Sequence, residues 1–112
     1  MASKMLTDKQ KALFKSIAKS GTLIFETGPA GIEANIVGTF EVRPCGNEDR
    51  LEMGDGTNHV HIDWCRVKSV ELGSYNSEEM LTFKDGKEVL FYLYKISGPF
   101  SKEVKALAGE LF

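Results

Sequence analysis

The chain has no run approaching the roughly 20 apolar residues of a membrane span, and its opening stretch, MASKMLTDKQK, lacks the apolar segment of a signal peptide. Cysteine is scarce. Cys45 and Cys65 are the only two among 112 residues, too few for a disulfide framework. These absences predict a cytoplasmic protein with reduced thiols and no membrane association. A basic excess is also missing: 14 Lys and Arg stand against 16 Asp and Glu, for a net charge of −2. That balance argues against nucleic acid as a partner. There are three prolines, no Ser/Pro/Gly-rich linker and no internal repeat. Length and the lack of a linker predict one domain over residues 1–112, too small for a (β/α)₈ barrel or a two-domain enzyme.

What is present suits a packed globule. Hydrophobic residues make up 42% and charged residues 27%, and seven Phe, three Tyr and one Trp supply bulk for a core. Charge is uneven: residues 1–19 hold five lysines against Asp8, a net +4, on a body of −6. Lysines on a solvated helix face account for that excess.

Thr7 or Asp8 caps an expected N-terminal helix within 4–19, with Leu13, Phe14, Ile17 and Ala18 at helical spacing and Gly21 ending it. Strand signals then follow through residue 95. They are Thr22–Thr27, a stretch after the turn Gly28-Pro29-Ala30-Gly31 and up to Arg43, Leu51–Met53, Asn58–Asp63, Val67–Leu72, Met80–Phe83 and Val89–Tyr94. Pro44-Cys45-Gly46-Asn47 and Gly54-Asp55-Gly56 read as turns, and Gly38 as a bulge or bend. Asp85-Gly86 between two apolar runs is a hairpin signal. Ser101 caps a second expected helix over 101–111, with Val104, Leu107, Ala108 and Leu111 on one stripe. Strands in succession, flanked by one helix at each end, predict an α+β fold: an antiparallel sheet of about seven strands with both helices packed on it. The strands carry more apolar surface than two short helices cover, which predicts a homodimer through a sheet face or edge.

Chemistry concentrates in Asn58-His59-Val60-His61-Ile62-Asp63-Trp64-Cys65. As a strand, this segment puts His59, His61 and Asp63 on one face and Val60, Ile62 and Trp64 on the core side. The polar face is either solvated or the wall of a site. Binuclear metallohydrolases need more histidines than this chain holds, and a zinc site would need His59, His61 and Asp63 or Cys65 to converge from one strand. Cys65 beside Trp64 reads as a buried, inert thiol. Neither glycine turn leads into Lys-Ser/Thr or a helix, so neither is a phosphate loop. No catalytic constellation is found, and no enzyme is expected.

From Gly21 to Phe112, about four-fifths of its length, the chain resembles the haem-utilisation proteins of the HemS/ChuX/HutX type. The likeness rests on His59-Val60-His61-Ile62 leading to Cys65, on Val67–Leu72, and on the hairpin Met80-Leu81-Thr82-Phe83-Lys84-Asp85-Gly86 with Val89-Leu90-Phe91-Tyr92-Leu93-Tyr94. A short terminal helix follows in both. Family modules carry a longer helical segment before the sheet than residues 4–19 provide. The resemblance implies a cytosolic haem-binding or haem-trafficking protein with haem as its ligand and no catalysis. It implies His59 or His61 as iron ligand: aligning on Cys65 favours the first, aligning on the adjacent Ile the second. Tyr92 or Tyr94 is the alternative ligand. Arg43, Arg66 and Lys68 become candidate propionate partners, and Phe40, Phe83, Phe91 and Tyr92 candidate slot residues, against a plain core role. The reading from another class is a small interaction or regulatory module that keeps the fold and binds no haem.

Overall fold

A computed structural model describes residues 6–27, 33–45, 48–75, 77–96 and 98–110. The expected turn Gly28-Pro29-Ala30-Gly31, the Gly46-Asn47 pair and Leu111 lie outside these residues. The protein is α+β: an antiparallel sheet with an N-terminal helix and a short C-terminal helix against it. In chain order the elements are α1 (Asp8–Ala18), β1 (Thr22–Thr27), β2 (Ala34–Cys45), β3 (Glu48–Gly54) and β4 (His59–Ile62). A 3₁₀ turn (Trp64–Arg66) leads to β5 (Ser69–Tyr75), β6 (Glu78–Asp85), β7 (Glu88–Lys95), α2 (Lys102–Leu107) and the two-residue β8 (Gly109–Glu110). Their spatial order is β4-β3-β2-β1-β7-β6-β5-β8, and every pairing is antiparallel.

α1 begins later than the 4–19 expectation. Thr7 is extended and caps it: Thr7 Oγ1 accepts from the Gln10 amide at 3.2 Å, and Gln10 Oε1 accepts from the Thr7 amide at 2.8 Å. This reciprocal box satisfies two amide donors that the first helical turn leaves orphaned. Gly21, at φ +81°, takes the left-handed conformation that releases the chain into β1.

The second helix is shorter than 101–111. Ser101 caps it as expected, its Oγ accepting from the Val104 amide, but helix ends at Leu107. Gly109 has φ +133°, outside the helical region, and Gly109–Glu110 pair with Val70 and Ser69 at the free edge of β5. The edge offers ladder hydrogen bonds that a last, fraying helical turn lacks. At the other end of β5–β6, Glu79 anchors α2, accepting from the Phe100 amide at 2.7 Å and pairing with Lys105 at 3.0 Å.

One face of the sheet is consumed by the core. Phe14 of α1 packs near Phe40 and Phe83, with ring centroids 6.1 and 6.5 Å away, and Phe83 stacks on Phe91 at 4.3 Å. Leu23, Phe25, Leu51, Met53, Val70, Leu81 and Leu93 complete that face, all buried. Their alternation along each strand dictates the result, because a pleated strand sends successive side chains to opposite faces. The expected hairpin is present, with Leu81 opposite Leu93 and Phe83 opposite Phe91. Its two loop residues are Gly86 and Lys87, since Asp85 stays in the ladder opposite Glu88.

Gly38 is not a bulge. The β1–β2 register runs unbroken from Thr22↔Thr39 to Thr27↔Ala34. A Cβ on Gly38 would instead meet the Gly54 carbonyl, so the missing side chain admits the end of β3 against β2. Gly54 is equally crowded, with His59 Cβ 2.7 Å from where its own Cβ would sit. Gly38→Ala should therefore displace the β3–β4 turn and cost about 1–3 kcal/mol, as overpacking does. Thermal and denaturant melts of the variant check this, and an unchanged midpoint would contradict the close approach.

Candidate functional site

The side of the sheet away from α1 is open. Along β2, Thr39, Glu41 and Arg43 alternate with Phe40 and Val42; along β4, exposed His59 and His61 alternate with half-buried Val60 and Ile62. Register stacks these rows: Glu52 of β3 lies opposite Glu41 on one side and His61 on the other, and Gly54 opposite Thr39 and His59. The result is a hollow of about 740 Å³, within the usual range for small-molecule sites, lined among others by Val37, Arg43, Glu52, Met53, His59 and His61.

Three of the five residues singled out from sequence meet here: His59, His61 and Arg43. The imidazoles lie edge-on, with centroids 5.0 Å apart. Arg43 Nη1 donates to Glu52 Oε2 at 3.0 Å, and Glu52 Oε1 stands 3.7 Å from His61 Nδ1. The Arg43 hydrogen bond and charge hold the Glu52 carboxyl below its ordinary value of 4.5, against the opposing effect of its own desolvation. Both imidazoles add to that lowering.

Arg66 and Lys68 lie elsewhere. Arg66 grips the β6–β7 hairpin, with Nε and Nη2 donating to Asp85 Oδ2 at 3.1 and 2.9 Å and Glu88 3.6 Å away. Lys68 Nζ donates to the Cys65 carbonyl at 3.2 Å. Asp63 caps the 3₁₀ turn, accepting from the Cys65 amide, so the strand stops at Ile62 and the regular alternation does not reach Trp64 or Cys65. Trp64 is nevertheless buried, as expected. Among the described residues no three His, Cys, Asp or Glu side chains converge to hold a metal ion, which removes the zinc arrangement from this strand. Phe40, Phe83 and Phe91 are buried in the core and none lines the histidine hollow; Phe40 borders a separate depression between β2 and Lys15, Ala18 and Lys19 at the end of α1, and Tyr92 is half-buried on the open side.

Beside the hollow runs an apolar row that sequence reading did not assemble. Val37, Ile24, Tyr94 and Met80 are successive cross-strand partners, and the Tyr75 ring lies 6.4 Å from Tyr94. Val37, 49% exposed, belongs to both the row and the hollow. Glu52 was missed as well. Its signal was its place between Leu51 and Met53, whose inward side chains send it outward to the histidine side.

No helix is long and apolar enough to cross a membrane among the described residues. No family model matches the chain, and no curated protein matches it.

Because Glu52 is ionised more readily in the fold than when unfolded, its contribution to stability is present above about pH 4.5 and is lost as pH falls through its lowered value. Carbon-detected NMR titration should find the Glu52 carboxyl below 4.5 and rising toward it in Arg43→Ala. An unchanged midpoint in the variant would remove Arg43 as the cause.

Proposed function

We propose that the protein is a non-catalytic, cytoplasmic haem-binding carrier whose site is the hollow on the open face of the sheet. The observation that carries the reading is that both imidazoles and one of the expected cations project into the same hollow, with an apolar row leading away from its wall. The donor set fits haem better than a bare ion. A bare ion needs several converging protein ligands, whereas an iron porphyrin brings its equatorial donors and asks the protein for one axial imidazole. Bound there, haem would supply an iron centre open to that imidazole. The chain's own part is to present His59 or His61 to iron, to offer Arg43 to a propionate, and to lay the ring along Val37 and Ile24. A carrier holds and releases its ligand, a task that calls for no nucleophile or general base.

Titration with hemin should give a sharpened, shifted Soret band at one equivalent. The His59→Ala/His61→Ala double variant should lose it. A band that survives in the double variant would move the ligand to a tyrosine such as Tyr92 or Tyr94. Only the broad spectrum of hemin adsorbed to apolar surface in the wild type would sink haem binding itself.

The second reading, a protein-interaction module without haem, is favoured by the exposure of the row itself, with Val37 at 49% and Tyr75 at 52%. On this second reading we place a second copy of the chain on this face, because pairing two such rows removes apolar area from water. Light scattering should then return twice the 12.4 kDa of one chain. A constant monomer mass across protein concentrations would reject the dimer.

A further inference from the structure

Most of β5 is paired on one side only. The strand runs from Ser69 to Tyr75 and pairs with β6 throughout, in an unbroken register. On its outer side β8 pairs with Ser69 and Val70 alone. Among the described residues no strand pairs with that side of Glu71-Leu72-Gly73-Ser74-Tyr75, and all of these are exposed. An open edge is a template for a further strand, and proteins usually guard one with lysine, proline, a bulge or a covering segment. This stretch has no lysine and no proline, its ladder to β6 has no bulge, and the cover given by β8 stops at Val70. Its one charge, Glu71, lies 3.5 Å from Lys84 on the neighbouring strand. Apolar side chains stand exposed on both faces of this edge. Leu72, 41% exposed, is on the side of buried Val70, and Tyr75, 52% exposed, is on the open side near Tyr94. The opposite edge of the sheet, β4, is four residues long, and its exposed histidines belong to the hollow.

We propose that this edge is a self-association surface whose occupant is β5 of a second copy, added antiparallel about a two-fold axis at Gly73. On such an axis Gly73 faces Gly73 of the second copy, Leu72 meets Ser74, and Glu71 meets Tyr75. Fit selects this register. All the free residues from Glu71 to Tyr75 pair, and the added strand ends at Tyr75, just short of the place that Gly109 of β8 already fills. Sliding the strand one way drives it into β8, and sliding it the other way leaves residues unpaired. Directly opposed residues share a face, and here no like charges oppose each other. Gly73 brings no side chain to the axis itself. The added strand supplies main-chain hydrogen bonds and moves Leu72 and Tyr75 from an edge to an interior, taking apolar area out of water. Two eight-stranded sheets then become one, with both hollows on the same side and both open faces left free. The contact is therefore separate from the face pairing described above, and it rests on neither reading of the hollow.

The test reads the mass of the full chain by size-exclusion chromatography with light scattering over a rising concentration series. Wild type and variants are each checked for folding by circular dichroism. Wild type should move toward twice 12.4 kDa. Leu72→Lys/Ser74→Lys sets lysine opposite lysine across the axis and should stay at the monomer mass. Leu72→Lys/Ser74→Glu sets each lysine opposite a glutamate and should regain the dimer, a rescue that a merely structural role of these positions would not give. Val37→Glu, on the open face away from this edge, should leave the dimer intact. In wild type, hydrogen exchange at alternate amides of Glu71–Tyr75 should slow as protein concentration rises, and this measurement carries the test if the lysine variants do not fold. A monomer at every concentration, or exchange there that ignores concentration, would overturn the proposal. So would a dimer that survives Leu72→Lys/Ser74→Lys, or one abolished by Val37→Glu, which would put the second copy on the face instead. A charge-swapped variant that folds and stays monomeric would overturn the register.

Discussion

The seating of Phe14 against Phe40 and Phe83 decides which side of the protein is available for function. Burying an aromatic side chain of this kind contributes on the order of 1.5–3 kcal/mol. Here the three rings also tie α1 to strands from both halves of the sheet. Once that face is filled, Phe40, Phe83 and Phe91 are buried, and of the rings that sequence offers to a planar ligand only Tyr92 stays on the open side. The opposite face is left open, polar at β2–β4 and apolar along the centre.

Two glycines shape the polar end. Gly38 and Gly54 sit at normal backbone angles, so their role is space and not conformational freedom. Their missing side chains let the end of β3 lie against β2 and bring the turn before β4 down onto β3. The histidines of β4 are thereby set beside Glu52 and Arg43. The site is a consequence of register: shifting β4 by one residue would send both imidazoles inward.

Much of the fold was legible from alternation and turn chemistry. The strands around Phe25, Met53, Phe83 and Leu93 alternate cleanly, and Thr7, Gly21 and Ser101 mark helix ends by their capping chemistry. The errors fell where local pattern competes with tertiary pairing. Val104, Leu107 and Leu111 keep helical spacing, yet Gly109 breaks it and the β5 edge captures the chain. The site was half legible. The shared face of His59 and His61 follows from period-two geometry, but their neighbours are set by the pairing of β3 with β2 and β4, which no local window contains. Arg66 lies next in sequence to the histidine strand, and the 3₁₀ turn at Trp64 directs it to Asp85 instead. Glu52 belongs to no motif: alternation with Leu51 and Met53 puts it on the open face, and only the pairing of β3 with β4 sets it opposite His61.

Haem held as proposed would lie against the open face at β2–β4. Paramagnetic ferric haem broadens nearby amide signals, so an NMR spectrum recorded during hemin titration maps the contact residue by residue. Early broadening is expected at Thr39, Glu41, Arg43, Glu52, His59 and His61, with α1 and α2 unaffected. Broadening centred on α1, or confined to the hairpin around Asp85 and Glu88, would contradict it.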